Sequence, residues 1–296
     1  MKLSIVTLAV SLSLASSTLM PLEPVEPTLV LADGDTSSLI TVEEYVARVV
    51  AHEVPYTFCD EALKAQAVAA RTYLYYCLEH GSHPHDHADV CTDITHCCGY
   101  ITEQELDERY GDGYGEAAFE RIRSAVRATE GEVLTYNDKA ILSVWHASSD
   151  GSTEDCAEVW SGALPYLVSV PTPEREVPYT VSFTLTETVR RLRDAGYPYN
   201  AAMSAKMTLT DSGRCSTLTL GSMTLSGSDV RSIFGLKSTD FLAWWRGGRL
   251  YFRVRGYGHG VGMSQVGANV MAESGATYRE ILAHYYVGSE ISDKKY

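Results

Sequence analysis

The sequence predicts an α+β fold built as a single compact catalytic body, and three observations carry that expectation. Apolar residues recur with the helical period early in the chain and again near its end. Between them lie short alternating stretches bounded by two-residue turn signals, the mark of β-hairpins. No internal repeat or linker interrupts Ser38 to Tyr296, so N-terminal helices, a His/Cys-rich metal-binding loop and the hairpins belong to one unit, with C-terminal helices closing a cleft. At 296 residues the chain can bury one large core or two modest ones. Its formal net charge of −14, with no basic run interleaved with aromatics, argues against nucleic acid as a partner.

The first element is an export segment. Lys2 precedes a mostly apolar stretch to Leu22, and a proline-rich acidic spacer covers 23–37. Ala15 and Ser17 suit a signal-peptidase site, while the length also suffices for a tilted membrane span, so a cleaved signal and a retained anchor are both open. Either places the unit 38–296 outside the cytoplasm, anchored or secreted.

The next element is a helix. Thr41 with Glu44 reads as a capping box, and Val42, Tyr45, Val46, Val49 and Val50 recur at spacings of three and four. Glu53 is the next member of that apolar series, and Pro55 ends the helix just beyond it. A carboxylate on such a stripe is desolvated, which raises its pKa toward the range of a general acid; the alternative is a frayed end with Glu53 in solvent. Asp60 to about Glu79 reads as a longer helix capped by Asp60, with Ala62, Ala65, Ala69 and Ala70 forming a face for close backbone approach. Gln66 and Arg71 are its polar groups aimed at something specific.

Seven cysteines, an odd number with Cys91, Cys97 and Cys98 clustered, do not read as an evenly spread disulfide framework. The loop also carries His83, His85, His87 and His96, a density of ligands that suits zinc; free thiols or a disulfide are the alternative. Beyond it the sequence predicts a helix near 116–129, then hairpins at Asn137-Asp138, at the Ser-Gly turn between KMTLTD and RCSTLTL, and at WWRGGRLYFRVR. Short helices follow near 186–195 and 228–234. Ser264 to Ser274 closes at Gly275, and Thr277 with Glu280 opens REILAHYY.

Several of these stretches together resemble one family, the stage II sporulation protein D and LytB-like peptidoglycan lytic transglycosylases. The resemblance rests on VEEYVARVVAHEVP with EALKAQAVAARTY, on CTDITHC, on WHASSDGSTEDCAEVWSGALPYLVSV and on GYGHGVGMSQVGANVMAESGATYREILAHYY, in order over most of Thr41 to Tyr286. It implies that Glu53 is the catalytic acid. It implies one structural zinc per chain on His85, Cys91, His96 and Cys97, with His87 as the alternative to His85. Cys98 departs from the pattern, which more usually has Gln there, and this bears on the choice of sulfur. By the same resemblance His146, Ser148 and Ser149 line the glycan cleft, and His259, Ser264 and Gln265 offer hydrogen bonds to sugar. Gln66, Arg71 and Tyr73 complete the expected contacts, with Arg71 orienting substrate or carboxylate unless it is a surface ion pair.

Ordinary glycosidases use two carboxyl groups. In lytic transglycosylation the primary hydroxyl of the substrate's own N-acetylmuramic acid attacks its anomeric carbon, so a single glutamate can act first as acid and then as base. The expected partners are glycan strands stripped of stem peptides, together with an amidase and a membrane protein of an engulfment complex. Two other functions stay in view: a non-enzymatic enhancer of a wall amidase, and a zinc-dependent wall peptidase or amidase. HASSDG lacks the third group of a hydrolase triad, and the GYGHGVG glycines lack the βαβ context of a dinucleotide site.

Overall fold

A computed structural model describes residues 26–81, 87–94, 96–111, 113–160, 162–199 and 201–294. The expected export segment lies outside them, and among the described residues no helix is long and apolar enough to cross a membrane.

The chain opens on an antiparallel hairpin, β1 (Thr28–Asp33) and β2 (Thr36–Thr41), where the sequence suggested a spacer. Leu29 and Leu31 are buried in the first core cluster, so their alternation is a genuine strand signal masked by the flanking prolines. β2 runs into α1 (Val42–Glu53), with Thr41 accepting from the Glu44 amide; the Glu44 carboxylate goes to Arg48 and Arg123, so only half of the capping box forms. α2 (Asp60–His80) has Cys59, not Asp60, at its cap position, and Asp60 instead receives Arg121.

β3 (Val90–Cys91) adds parallel to β1 and anchors the cysteine loop. Then come α3 (Glu103–Tyr110), with a full Thr102/Glu105 capping box, and α4 (Gly115–Arg127). β4 (Glu132–Tyr136) and β5 (Lys139–Ala140) form the first expected hairpin, and Asn137 and Asp138 take the positive φ (52° and 61°) that its tight turn demands. β6 (Trp145–His146) and α5 (Cys156–Val159) follow.

The β-rich part is β7 (Tyr179–Thr184), α6 (Leu185–Asp194), β8 (Ala205–Leu209), β9 (Cys215–Leu220), β10 (Met223–Ser226), α7 (Gly227–Phe234), β11 (Phe241–Arg246) and β12 (Arg249–Val254). Its strands form two three-stranded sheets, β10-β9-β8 and β11-β12-β7. Leu250, Phe252 and Val254 alternate inward, fully buried in its core. β13 (Met263–Ser264), α8 (Gln265–Glu273), α9 (Tyr278–Tyr285) and β14 (Glu290–Asp293) complete the chain, β14 pairing with β4.

α2 is the axis of the α-rich part. Ala67 and Ala70 face the cluster built with α1 and α4, while Ala65 and Ala69 face the one built with α8 and α9. Small residues on both sides let helices approach α2 from two directions, and this brings the end of α1 beside the start of α8.

Candidate active site

α1 ends at Glu53 because Val54, the residue before Pro55, is forced into an extended conformation (φ −131°, ψ 149°). Arg109 caps the last turn, donating to the carbonyls of Ala51 at 3.1 Å and His52 at 3.3 Å. The Glu53 side chain keeps 23% exposure. Its Oε2 accepts from the Trp145 indole N–H at 2.9 Å and lies 3.4 Å from the Gln265 amide nitrogen. His52 Nδ1 stands 3.6 Å from Oε1, an ion-pair distance too long for a hydrogen bond, which supports the carboxylate only when the imidazole is protonated. That ring lies directly on Gly99, where a Cβ would come within 2.0 Å of Nδ1.

Burial pushes the Glu53 carboxyl up, as the apolar stripe predicts, but His52, Trp145 and Gln265 together outweigh it, and the net direction is down. The expected raised value is therefore not that of the resting site. The stripe speaks only of desolvation, whereas the opposing indole and amide come from 92 and 212 residues away.

Beside the carboxylate opens a pocket lined by Tyr73, Cys97, Cys98, Val144, Trp145 and His259. Tyr73 meets Trp145 edge to face at 5.8 Å, and burial raises its phenol pKa, so it stays protonated. His259 accepts the Val261 N–H on Nδ1 at 3.0 Å. Burial, then the charges of Arg231 and Arg214, push it down to about 4, leaving a neutral imidazole at neutral pH.

Two pairs of neighbouring residues part company. β6 and β13 lie parallel, Trp145 opposite Met263 and His146 opposite Ser264. Successive strand residues point to opposite faces. Trp145 therefore reaches Glu53, while His146 turns into a buried polar network. There its Nε2 is 2.7 Å from Ser149 Oγ, which also receives Arg214 at 2.8 Å, and its Nδ1 is 3.1 Å from the Val261 carbonyl. Glu174 accepts from the Ser149 amide at 2.9 Å, from Ser264 Oγ at 2.5 Å and from Thr172. Ser264 also caps α8, while its neighbour Gln265 faces Glu53 and Gln66. Ser148 pairs through its backbone with Tyr257. His146, Ser148, Ser149 and Ser264 are thus buried beneath the site instead of lining it. The glycines of GYGHGVG serve the same packing: a Cβ on Gly260 would lie 2.5 Å from the Arg214 guanidinium carbon, and one on Gly262 2.1 Å from the Val144 carbonyl.

Arg71 is neither on the surface nor near Glu53. Its guanidinium is fully buried and forks onto both Glu43 oxygens, with further bonds to the carbonyls of Glu132 at 3.1 Å and Val126 at 3.3 Å. Glu43 opens α1 and Glu53 closes it, so Arg71 ties down the far end of that helix. Its pairing with Glu43 follows from how α1 packs on α2, which local spacing does not reveal.

In the cysteine loop, Cys91, His96 and Cys97 bring their ligand atoms within 4.8 Å of one another. His96 Nδ1 is 3.7 Å from Cys91 Sγ and 3.6 Å from Cys97 Sγ. A tetrahedral zinc ion with the usual bond lengths would set sulfur and nitrogen about 3.6 Å apart, so the trio fits that ion. Of the two histidines considered for the fourth position, His85 lies outside the described residues, and His87 is exposed and apart from the trio. Cys98 is not a member of it, and no cysteine among the described residues is disulfide-bonded.

Comparison with known proteins bears on these elements together. A family model described as "Stage II sporulation protein" matches residues 34–136, which include α1, α2 and the cysteine loop. The chain is 38% identical over 260 residues to stage II sporulation protein D of Bacillus subtilis (strain 168), covering 86% of this chain and 75% of that protein. It is 37% identical over 262 residues to stage II sporulation protein D of Bacillus amyloliquefaciens, with the same coverages. A more distant match, 27% over 303 residues, is the amidase enhancer of Bacillus subtilis (strain 168), covering 82% of this chain and 40% of that protein.

Proposed function

The chain belongs to the stage II sporulation protein D family, and from that premise we propose that it is a lytic transglycosylase that cleaves peptidoglycan glycan strands in an extracytoplasmic role in sporulation. The observation that carries the reading is Glu53 itself. It is a half-buried carboxylate held by two neutral donors, Trp145 and Gln265, with the His52 imidazole 3.6 Å away, at the edge of an aromatic pocket. Neutral donors position a carboxyl group without forcing it to remain ionised. A sugar seated over Glu53 removes its remaining water, so the burial contribution, already the largest single influence, grows while the donors stay constant. Glu53 then protonates the glycosidic oxygen and takes the proton of the attacking muramoyl hydroxyl.

Glu174, buried and already accepting from Ser149, Ser264 and Thr172, is no candidate for the second carboxylate of a hydrolase. The nucleophile in this reading is supplied by the substrate. Zinc on Cys91, His96 and Cys97 would hold the wall of the pocket in place; the full chain should carry about one ion, and Cys97→Ser should release it and lower the melting temperature.

The test is to incubate the protein with glycan strands before and after removal of their stem peptides and to read the ends by mass spectrometry. The reading expects anhydro-muramoyl ends, formed in preference from stripped strands. Reducing ends would mean hydrolysis. Cut peptides on intact glycan would give the function to a zinc peptidase, and no cleavage beside stimulation of an amidase would give it to an enhancer role.

A further inference from the structure

A second, larger concavity lies on the segment that leads into His259. This open pocket is lined by Ser228, Arg231, Ser232, Lys237 and Tyr257, among others. Neither Arg231 nor Lys237 takes part in an ion pair among the described residues, although other guanidinium groups of the β-rich part do: Arg255 is matched to Asp150 and Asp240, and Arg190 to Asp194. Lys237 Nζ instead stands over the rings of Tyr179 and Tyr257, at 5.5 and 5.6 Å. Two unmatched cations in one concavity are notable on a chain whose net charge is −14.

The pocket is also fixed to the cleft. The Lys237 carbonyl accepts the Gly258 N–H at 2.9 Å, and the Lys237 N–H donates to the Tyr179 hydroxyl at 2.9 Å. The residue after Gly258 is His259, which lines the pocket beside Glu53 and meets Trp160 at 5.3 Å. Trp160 and Tyr257 are 38% and 50% exposed, so a ring suited to sugar stacking stands against His259 and another lines this concavity.

We propose that the Arg231/Lys237 pocket is a subsite for the free carboxylate of a muramoyl lactyl ether on a strand held in the cleft. The proposal rests on the glycan reading and deepens it. An acidic protein repels a strand that carries a carboxylate on every second sugar, unless unmatched cations line its path. A stem peptide is joined to that lactyl group through an amide, which has no charge to offer. Hydrolysis of the amide leaves the carboxylate on the sugar and the amine on the departing peptide. The subsite thus gives a chemical reason for the preference for stripped strands already expected from the family resemblance.

The test uses the full chain carrying Glu53→Gln, so that strands stay whole, and a labelled muramoyl oligosaccharide with its lactyl groups free or converted to methylamides. Anisotropy should show the methylamide binding about tenfold more weakly, the loss expected of two partly exposed charge contacts. Adding Arg231→Gln and Lys237→Gln should weaken the carboxylate form and close that gap, and Arg231→Lys should keep most of it. Equal affinities for both forms would overturn the subsite. So would a gap that survives the double substitution, or competition by inorganic phosphate without any gap, which would assign the cations to a phosphate. Turnover by the unsubstituted chain is read separately. Cleavage without a gap sinks the subsite alone, and a gap without anhydro ends sinks the transglycosylase reading alone.

Discussion

One helix carries two glutamates that meet opposite fates. At the first turn of α1, Glu43 is 9% exposed and forked by the guanidinium of Arg71, itself fully buried. At the last turn, Glu53 is held by an indole N–H and an amide, with an imidazole at 3.6 Å. Arginine cannot give up its proton at any working pH, so the first contact is a fixed ionic clamp between α1 and α2. Indole and amide carry no charge, so the second carboxyl can exchange a proton with a substrate. On the proposed reading, what separates the structural carboxylate from the chemical one is that Glu43 faces a permanent charge and Glu53 faces neutral donors and an imidazole that can itself lose its proton.

The comparison can be broken at its structural end first. Arg71→Met should cost about 3–5 kcal/mol in denaturant unfolding, because it strands Glu43 without a counter-charge. Were Arg71 a substrate ligand, stability would hold and turnover would fall.

A conversion experiment sharpens the chemical end. Gln265→Lys places a cation where Glu53 now meets an amide and makes its surroundings resemble those of Glu43. The cation favours the ionised form and lowers the Glu53 pKa further, so the limb of kcat/KM that needs a protonated acid should move to lower pH, with turnover at neutral pH falling about tenfold. An unchanged pH profile would separate Glu53 from the rate.

The buried face beneath the site provides a control. Glu174→Gln should cost about 2 kcal/mol of stability, since one oxygen of a fully bonded carboxylate becomes a donor facing donors. The pH profile of the folded enzyme should not move.

The smallest effect is the opposite shift. Trp145→Phe keeps the ring against Tyr73 but removes the 2.9 Å donor to Glu53. The carboxyl pKa should rise, moving the same limb up by about one pH unit or less. A downward movement would mean that the indole is not what holds the carboxylate.

Much of this was legible before any coordinates. The periodicity of α1 and the caps at Thr41 and Thr277 locate helices, and Asn137-Asp138 marks a turn that exists. The density of Cys and His marks the loop in which the trio lies, because its members are close in sequence, whereas the choice of Cys91, His96 and Cys97 comes from the family resemblance. α3 escaped notice since only Leu106 of its eight residues is buried, which leaves no apolar stripe to read. Trp145 escaped notice for a different reason. His146, Ser264 and Gln265 all stand out as polar candidates, but of these only Gln265 reaches Glu53, and the other donor is Trp145, the neighbour of His146. Which of two adjacent residues faces Glu53 is set by the pairing of β6 with β13, far apart in sequence and only two residues long. No local pattern encodes that register.

The measurement that bears most directly on the central claim is turnover of stripped glycan strands by Glu53→Gln, with thermal unfolding and metal content recorded on the same preparation. The amide keeps the shape of the side chain and cannot deliver a proton. Cleavage should fall by about a thousandfold, within the range expected for loss of a general acid, while the melting temperature and metal content stay at the unsubstituted values. Near-normal cleavage by a folded Glu53→Gln protein would contradict the account.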